Sequence, residues 1–218
     1  MKRAVGLWSV LLSLWVGKAG LAQKPPDVQM TFEEGAVVAQ GLTPGKSVVW
    51  FGVEHRIDAG FSGDIAQHYK VDTVAANGTS HLELAQPAAP RSFWVAVDLD
   101  SGRLAVAGPG GYRLEKPRSL ARLGAGQGAK ADEILDDHPY LMGLMVRPKE
   151  GAWAFGGGDG GPRDEDGKND GHIRFALDRL DPLPGSPAAP SKINGQDLWI
   201  LVDPLTMEIS TYKGGVAQ

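Results

Sequence analysis

The chain contains no cysteine. That absence excludes a disulfide framework, a thiolate zinc site, a cysteine nucleophile and a lipoprotein anchored through cysteine. Basic charge is also short, with 22 Lys and Arg against 26 Asp and Glu and a formal net charge of −4. No cationic surface is available to release counterions from phosphates, so nucleic acid is not an expected partner. Long apolar runs are missing too. The longest, residues 4–17, stops at Lys18, short of the ~20 residues a helix needs to cross a bilayer. No membrane span is expected in the mature chain. The sequence also lacks a His-Glu-x-x-His pair and a Gly-x-Ser-x-Gly elbow, two common signatures of hydrolytic centres.

Glycine and proline are abundant, at 30 and 15 of 218 residues, so turns are frequent and long helices few. The remaining composition, 42% hydrophobic and 22% charged, is that of a globular protein of one or two domains. The N-terminus reads as an export signal: Lys2 and Arg3, the apolar run, then Gly20-Leu21-Ala22 with small residues at the cleavage-critical positions. Cleavage after Ala22 predicts a secreted or periplasmic protein beginning at Gln23. It is more acidic than the precursor, because Lys2, Arg3 and Lys18 are removed.

Beyond the signal the sequence reads as two copies of one unit. Trp50 and Trp94 are separated by nearly the same interval as Trp153 and Trp199. Ser92-Phe93-Trp94-Val95-Ala96-Val97-Asp98 lies over Asp197-Leu198-Trp199-Ile200-Leu201-Val202-Asp203, and each is preceded by a Pro-Ala-Ala-Pro tetrad, at 87–90 and 187–190. Residues 43–50 match 147–153 in their Pro, their turn and their Trp.

Short runs rich in β-branched and aromatic residues predict strands at 28–32, 36–39, 48–53, 69–74, 81–84, 93–99 and 104–107, bounded by turn residues. Asn77-Gly78 and Asp100-Ser101-Gly102 read as hairpin turns. The second copy predicts strands at 140–146, 152–155, 172–177, 198–202 and 208–212, with a further strand at 112–114 and a short helix at 131–137. Core packing is the plainer role for the four mature Trp. A sugar-binding face made by some of them with Tyr69, Tyr140 and Tyr212 is the competing one.

The export signal, the run from Leu42 to Trp50 and the hairpin from Phe93 to Gly102 resemble bacterial exported proteins with tandem Ig-like or fibronectin type III-like domains. The missing Cys pair departs from antibody-type domains. The resemblance implies an all-β fold of two tandem Ig-like antiparallel β-sandwich domains from an internal duplication, at 23–108 and 139–218, with a glycine-rich linker at 109–138. It also implies a non-enzymatic binding or structural module of the cell envelope, with a protein or glycan partner.

Two clusters carry candidate chemistry. Residues 156–171 alternate carboxylates with glycine, and Asp164-Glu165-Asp166-Gly167-Lys168-Asn169-Asp170-Gly171 resembles the Asp-x-Asp-Gly-x-x-Asp-Gly loops of thrombospondin type 3-like repeats. That resemblance implies Ca²⁺ held by Asp159, Asp164, Asp166 and Asp170, since a hard cation needs six to eight oxygens from a backbone free to wrap. The alternative is a turn at Asp170-Gly171 with a longer approach. The second cluster, Glu54-His55 with Asp64 and His68, is expected in a loop after Trp50. It is read either as solvated loop residues or as a metal or acid–base site. The functional alternatives are thus a metal-dependent hydrolase using the acidic loop and a carbohydrate-binding module.

Overall fold

The computed structural model describes residues 27–56, 64–109, 113–114, 120–122, 129–132, 142–156, 172–175, 177, 180–203, 208–213 and 216–217. Among them there is no α-helix, and the described residues form an all-β fold. The first half contributes β1 (Gln29–Glu33), β2 (Ala36–Gln40), β3 (Ser47–Arg56), β4 (Asp64–Thr73), β5 (Ser80–Glu83), β6 (Arg91–Asp98) and β7 (Leu104–Ala107). The stretch expected as linker contributes β8 (Arg113–Leu114), β9 (Leu120–Arg122) and β10 (Ala129–Asp132). Then come β11 (Met142–Arg147), β12 (Gly151–Gly156), β13 (His172–Phe175), β14 (Asp181–Pro182), β15 (Leu198–Asp203), β16 (Glu208–Lys213) and β17 (Val216–Ala217).

Three sheets are wholly antiparallel: β1-β2-β5, β4-β3-β6-β7 and β13-β10-β9. A larger sheet runs β14-β12-β11-β15-β16-β17, and β8 joins β16 in parallel. The burial patterns assign each sheet its depth. In β5 alternate residues are buried, as in a strand with one solvated face. In β6 every residue after Arg91 is buried, and β11 is buried throughout. Their uninterrupted apolar sequences are those of strands covered on both faces.

The core clusters show what covers them. Val37, Ala39 and Leu82 of the β1-β2-β5 sheet pack on Val48, Trp50, Trp94 and Ala96 of the four-stranded sheet. The opposite face of that sheet, with Val49, Phe51, Val53, Phe93, Val95 and Val97, packs on Leu144, Val146, Ala152, Leu198, Ile200, Val202 and Ile209 of the larger sheet. The far face of the larger sheet carries Met145, Trp153, Trp199 and Tyr212, covered by Leu177, Leu180 and Ile193. The halves of the chain therefore share a core. Their turns also meet, because the Lys149 N–H donates to the Leu99 carbonyl at 2.6 Å and Gly102 faces Pro148.

Buried polar groups fix the turns and strand ends. Asp98, fully buried, accepts hydrogen bonds from the Thr43 N–H (2.8 Å), the Thr43 hydroxyl (2.6 Å) and the N–H groups of Asp100 and Ser101. Burial disfavours its charged form, but the bonds from Thr43, Ser101 and Asp100 outweigh this and hold the carboxyl below its ordinary range. Asp98 thereby closes the β6–β7 hairpin, where Gly102 takes the left-handed conformation at φ 71°.

Several local expectations are corrected. Asn77-Gly78 does not close a hairpin, because β4 and β5 belong to different sheets. Val74 enters the core and its N–H donates to the Lys46 carbonyl, which turns the chain across to the outer sheet. The helix expected at 131–137 is replaced at its start by β10, paired with β13. β4 begins at Asp64 rather than near Tyr69. The strand carrying Trp50 pairs directly with the strand carrying Trp94, whereas β11 lies between the strands of Trp153 and Trp199. Trp50 and Trp153 thus do not occupy matching places.

Candidate functional site

On the face of the four-stranded sheet that meets β1-β2-β5, three residues stand in one cross-strand row. Gly52 of β3 is in register with His68 of β4 on one side and with Trp94 of β6 on the other. A Cβ at position 52 would collide with Trp94 Cζ3 and lie 2.5 Å from Cε3, so the missing side chain is the space that the indole occupies. An isolated glycine in a strand often marks such a close approach. The ring reaches across to His68, with centroids 5.2 Å apart and planes tilted by 30°.

Glu54 follows on the same face two residues along β3. It is 3% exposed, and the His68 Nε2–H donates to its Oε2 at 3.1 Å. The other carboxylate oxygen accepts from the Ala89 N–H at 3.4 Å. Ala89 belongs to the first Pro-Ala-Ala-Pro tetrad and is tied back by the Ser92 hydroxyl, which donates to its carbonyl at 2.7 Å. With Nε2–H committed to Glu54, a neutral His68 offers Nδ1 as an acceptor. Its side chain is 43% exposed, so the ring is accessible from solvent while the carboxylate behind it is not.

The pair borders a cleft of about 350 Å³ between the edges of the two sheets, with Ala66, Leu82, Leu84, Gln86 and Trp94 among its walls. A second cleft of about 380 Å³ shares His68 and Leu82 and continues toward Gln67, Tyr69 and Lys70. Apolar walls with a few oriented polar groups suit a binding site. A carboxylate–imidazole pair can accept or relay a proton, or orient a ligand by hydrogen bonding.

The cluster expected after Trp50 is therefore on strands, not in a loop, because the β3–β4 register brings Glu54 and His68 together across 14 positions of sequence. His55 stands opposite Ile65 and Asp64 opposite Arg56; their side chains lie outside the described residues. Among the described residues no group of three or more His, Asp or Glu is placed to hold a metal ion. Asp159, Asp164, Asp166 and Asp170 all lie outside the described residues.

Most of the described aromatics expected on a sugar-binding face are buried. Trp50, Trp94, Trp153 and Trp199 are all at most 1% exposed, and Trp50 Nε1–H donates to the Ser80 hydroxyl at 3.1 Å. Tyr212 is buried, Tyr69 stacks on Phe51, and Tyr140 lies outside the described residues. The roles of Gly52, Leu82 and Gln86 went unread in the sequence, although the lone glycine in the run Val48 to Glu54 was a readable sign of close approach. In comparisons with known proteins, the chain matches no family model, no curated protein and no solved structure.

Proposed function

We propose that this chain is an exported, non-enzymatic binding or structural module of the cell envelope, built on an Ig-like or fibronectin type III-like β-sandwich. The strand grouping supports the fold: taking β1, β2, β3, β5, β6 and β7 as A, B, C, E, F and G reproduces the A-B-E and C-F-G groups, with β4 added on the C side. The order β12-β11-β15-β16 parallels β4-β3-β6-β7, which supports an internal duplication with Trp94 and Trp199 on corresponding strands. Export rests on the signal-like residues 1–22, and the partner is a protein or a glycan.

The observation that carries the binding reading is the cleft in which buried Glu54 orients a solvent-accessible His68 against Trp94. The test is an NMR titration of the histidine rings in the chain from Gln23 onward, against envelope-derived peptides and glycan fragments. We expect one ligand to shift the His68 resonances saturably while leaving those of His81, exposed on β5, in place; His68→Ala should lose the response. Conversion of the ligand to product would overturn the non-enzymatic reading, and a panel that never moves His68 would overturn the site.

Calcium stabilisation belongs to the same proposal, with Asp159, Asp164, Asp166 and Asp170 as the residues that would hold the ion. Binding to the folded state alone at about a hundred times the dissociation constant adds roughly 2.7 kcal/mol, or several degrees of melting temperature. Asp166→Ala or Asp170→Ala should abolish that increment. Identical melting curves in calcium and in chelator would leave the turn reading.

A further inference from the structure

β4 is ten residues long and stands at the end of its sheet. None of residues 66–73 is buried, and among the described residues no strand pairs with its outer side. An open edge of this kind is a template for another strand. Inward-pointing charges on an edge normally discourage pairing, and here Lys70 and Asp72 share one face, bonded to each other at 2.9 Å. They are of opposite sign, which makes the edge complementary to itself.

A two-fold antiparallel pairing keeps every side chain on its own face only when it is centred on a residue. Centring on Lys70 or on Asp72 stacks like charges, and centring on Tyr69 sets Lys70 against His68. Centring on Val71 sets each Lys70 opposite the Asp72 of the other copy, each Tyr69 opposite a Thr73, and Val71 opposite itself. Opposite-charge, aromatic–β-branched and β-branched pairs are all favourable across strands. Tyr69 and Val71 already pack on the shared core, so the added strand would extend that layer.

We infer that β4 is a self-association edge: two copies of the chain pair β4 with β4, antiparallel and centred on Val71, and join their four-stranded sheets into one. Tyr69 and Lys70 of the paired edge also line the second cleft, but the pairing needs no ligand there.

The test is sedimentation analysis of the chain from Gln23 onward, at concentrations from about 1 μM to about 1 mM, the range of weak association. The wild type is expected to show a reversible monomer–dimer equilibrium. Lys70→Glu or Asp72→Lys turns two attractive pairs per dimer into two repulsive ones, so the dissociation constant should rise roughly tenfold or more. The two variants mixed in equal amounts should associate again, because the introduced glutamate of one copy then meets the introduced lysine of the other, and the native Asp72 meets the native Lys70. K70E/D72K in one chain should do likewise. Circular dichroism checks the fold of each variant, and K70Q and D72N replace any reversal that does not fold. A monomeric wild type would overturn the inference, as would single reversals that dimerise like the wild type.

Discussion

Asp197→Ala should destabilise the folded chain by about 3–5 kcal/mol, the usual cost of removing one member of a buried ion pair. Asp197 is fully buried. Its Oδ1 accepts from Arg147 Nε–H at 2.7 Å, and its Oδ2 accepts from Arg147 Nη2–H at 3.0 Å and from the Asn194 N–H at 2.7 Å. The same Nη2 donates to the Lys192 carbonyl at 2.6 Å. The pair thus ties the end of β11 to the chain entering β15. Hydrogen bonding to Asp197 outweighs burial and raises the affinity of Arg147 for its proton. Truncation removes that support, and because a guanidinium stays charged without it, the charge is left buried with its main partner gone. Glu150 is 3.4 Å away and 55% exposed, a weak replacement. For a chain of this length the loss is on the order of 10 °C in Tm. Arg147→Met should cost a comparable amount, because it strands Asp197 instead. A thermal melt of either variant within about 1 kcal/mol of wild type would mean that the pair is not buried in this way.

Gly52→Ala should also destabilise, against the usual sign. Glycine in a strand gives up about 0.5–1 kcal/mol relative to alanine through backbone entropy, so a free site would gain. Here the new methyl meets Trp94 Cζ3, with Cε3 at 2.5 Å and Cη2 at 2.9 Å. The ring is rigid, 1% exposed and set against His68, so it has little room to move. Overpacking of this kind typically costs about 1–3 kcal/mol and at times more, which outweighs the entropic gain. Trp94→Leu opens a cavity on its own, yet the double variant should be more stable than the sum of the single effects, with a coupling of about 1 kcal/mol or more. Denaturant melts of the four proteins give that coupling directly; strict additivity would mean that the two residues do not touch.

The central strands were legible from their β-branched and aromatic runs, Val48 to Val53 and Phe93 to Val97. The structure buries both faces of each, where the expected sandwich needed only one. The Asp98-to-Gly102 hairpin was legible from its turn residues. What covers each face was not, since a strand records that it is buried but not by which partner. The repeated Trp neighbourhoods suggested paired units, while strand order, a long-range property, put β11 between Trp153 and Trp199. Asn77-Gly78 had the right residues for a hairpin, but burial of Val74 sent the chain to another sheet. Glu54 and His68 were singled out together; only the β3–β4 register shows that they touch. Asp64 to Gln67 looked too polar for a strand because edge strands need bury little.

Because one core joins the two halves, Gly52 in the four-stranded sheet and Asp197 beside the larger one should report on the same unfolding event. Differential scanning calorimetry of the chain from Gln23 onward, of Gly52→Ala and of Asp197→Ala reads this most directly. The predicted result is a single transition in each, with matching calorimetric and van't Hoff enthalpies, and with both substitutions lowering that same peak. Two resolved transitions, one moved only by Gly52→Ala and the other only by Asp197→Ala, would contradict a shared core.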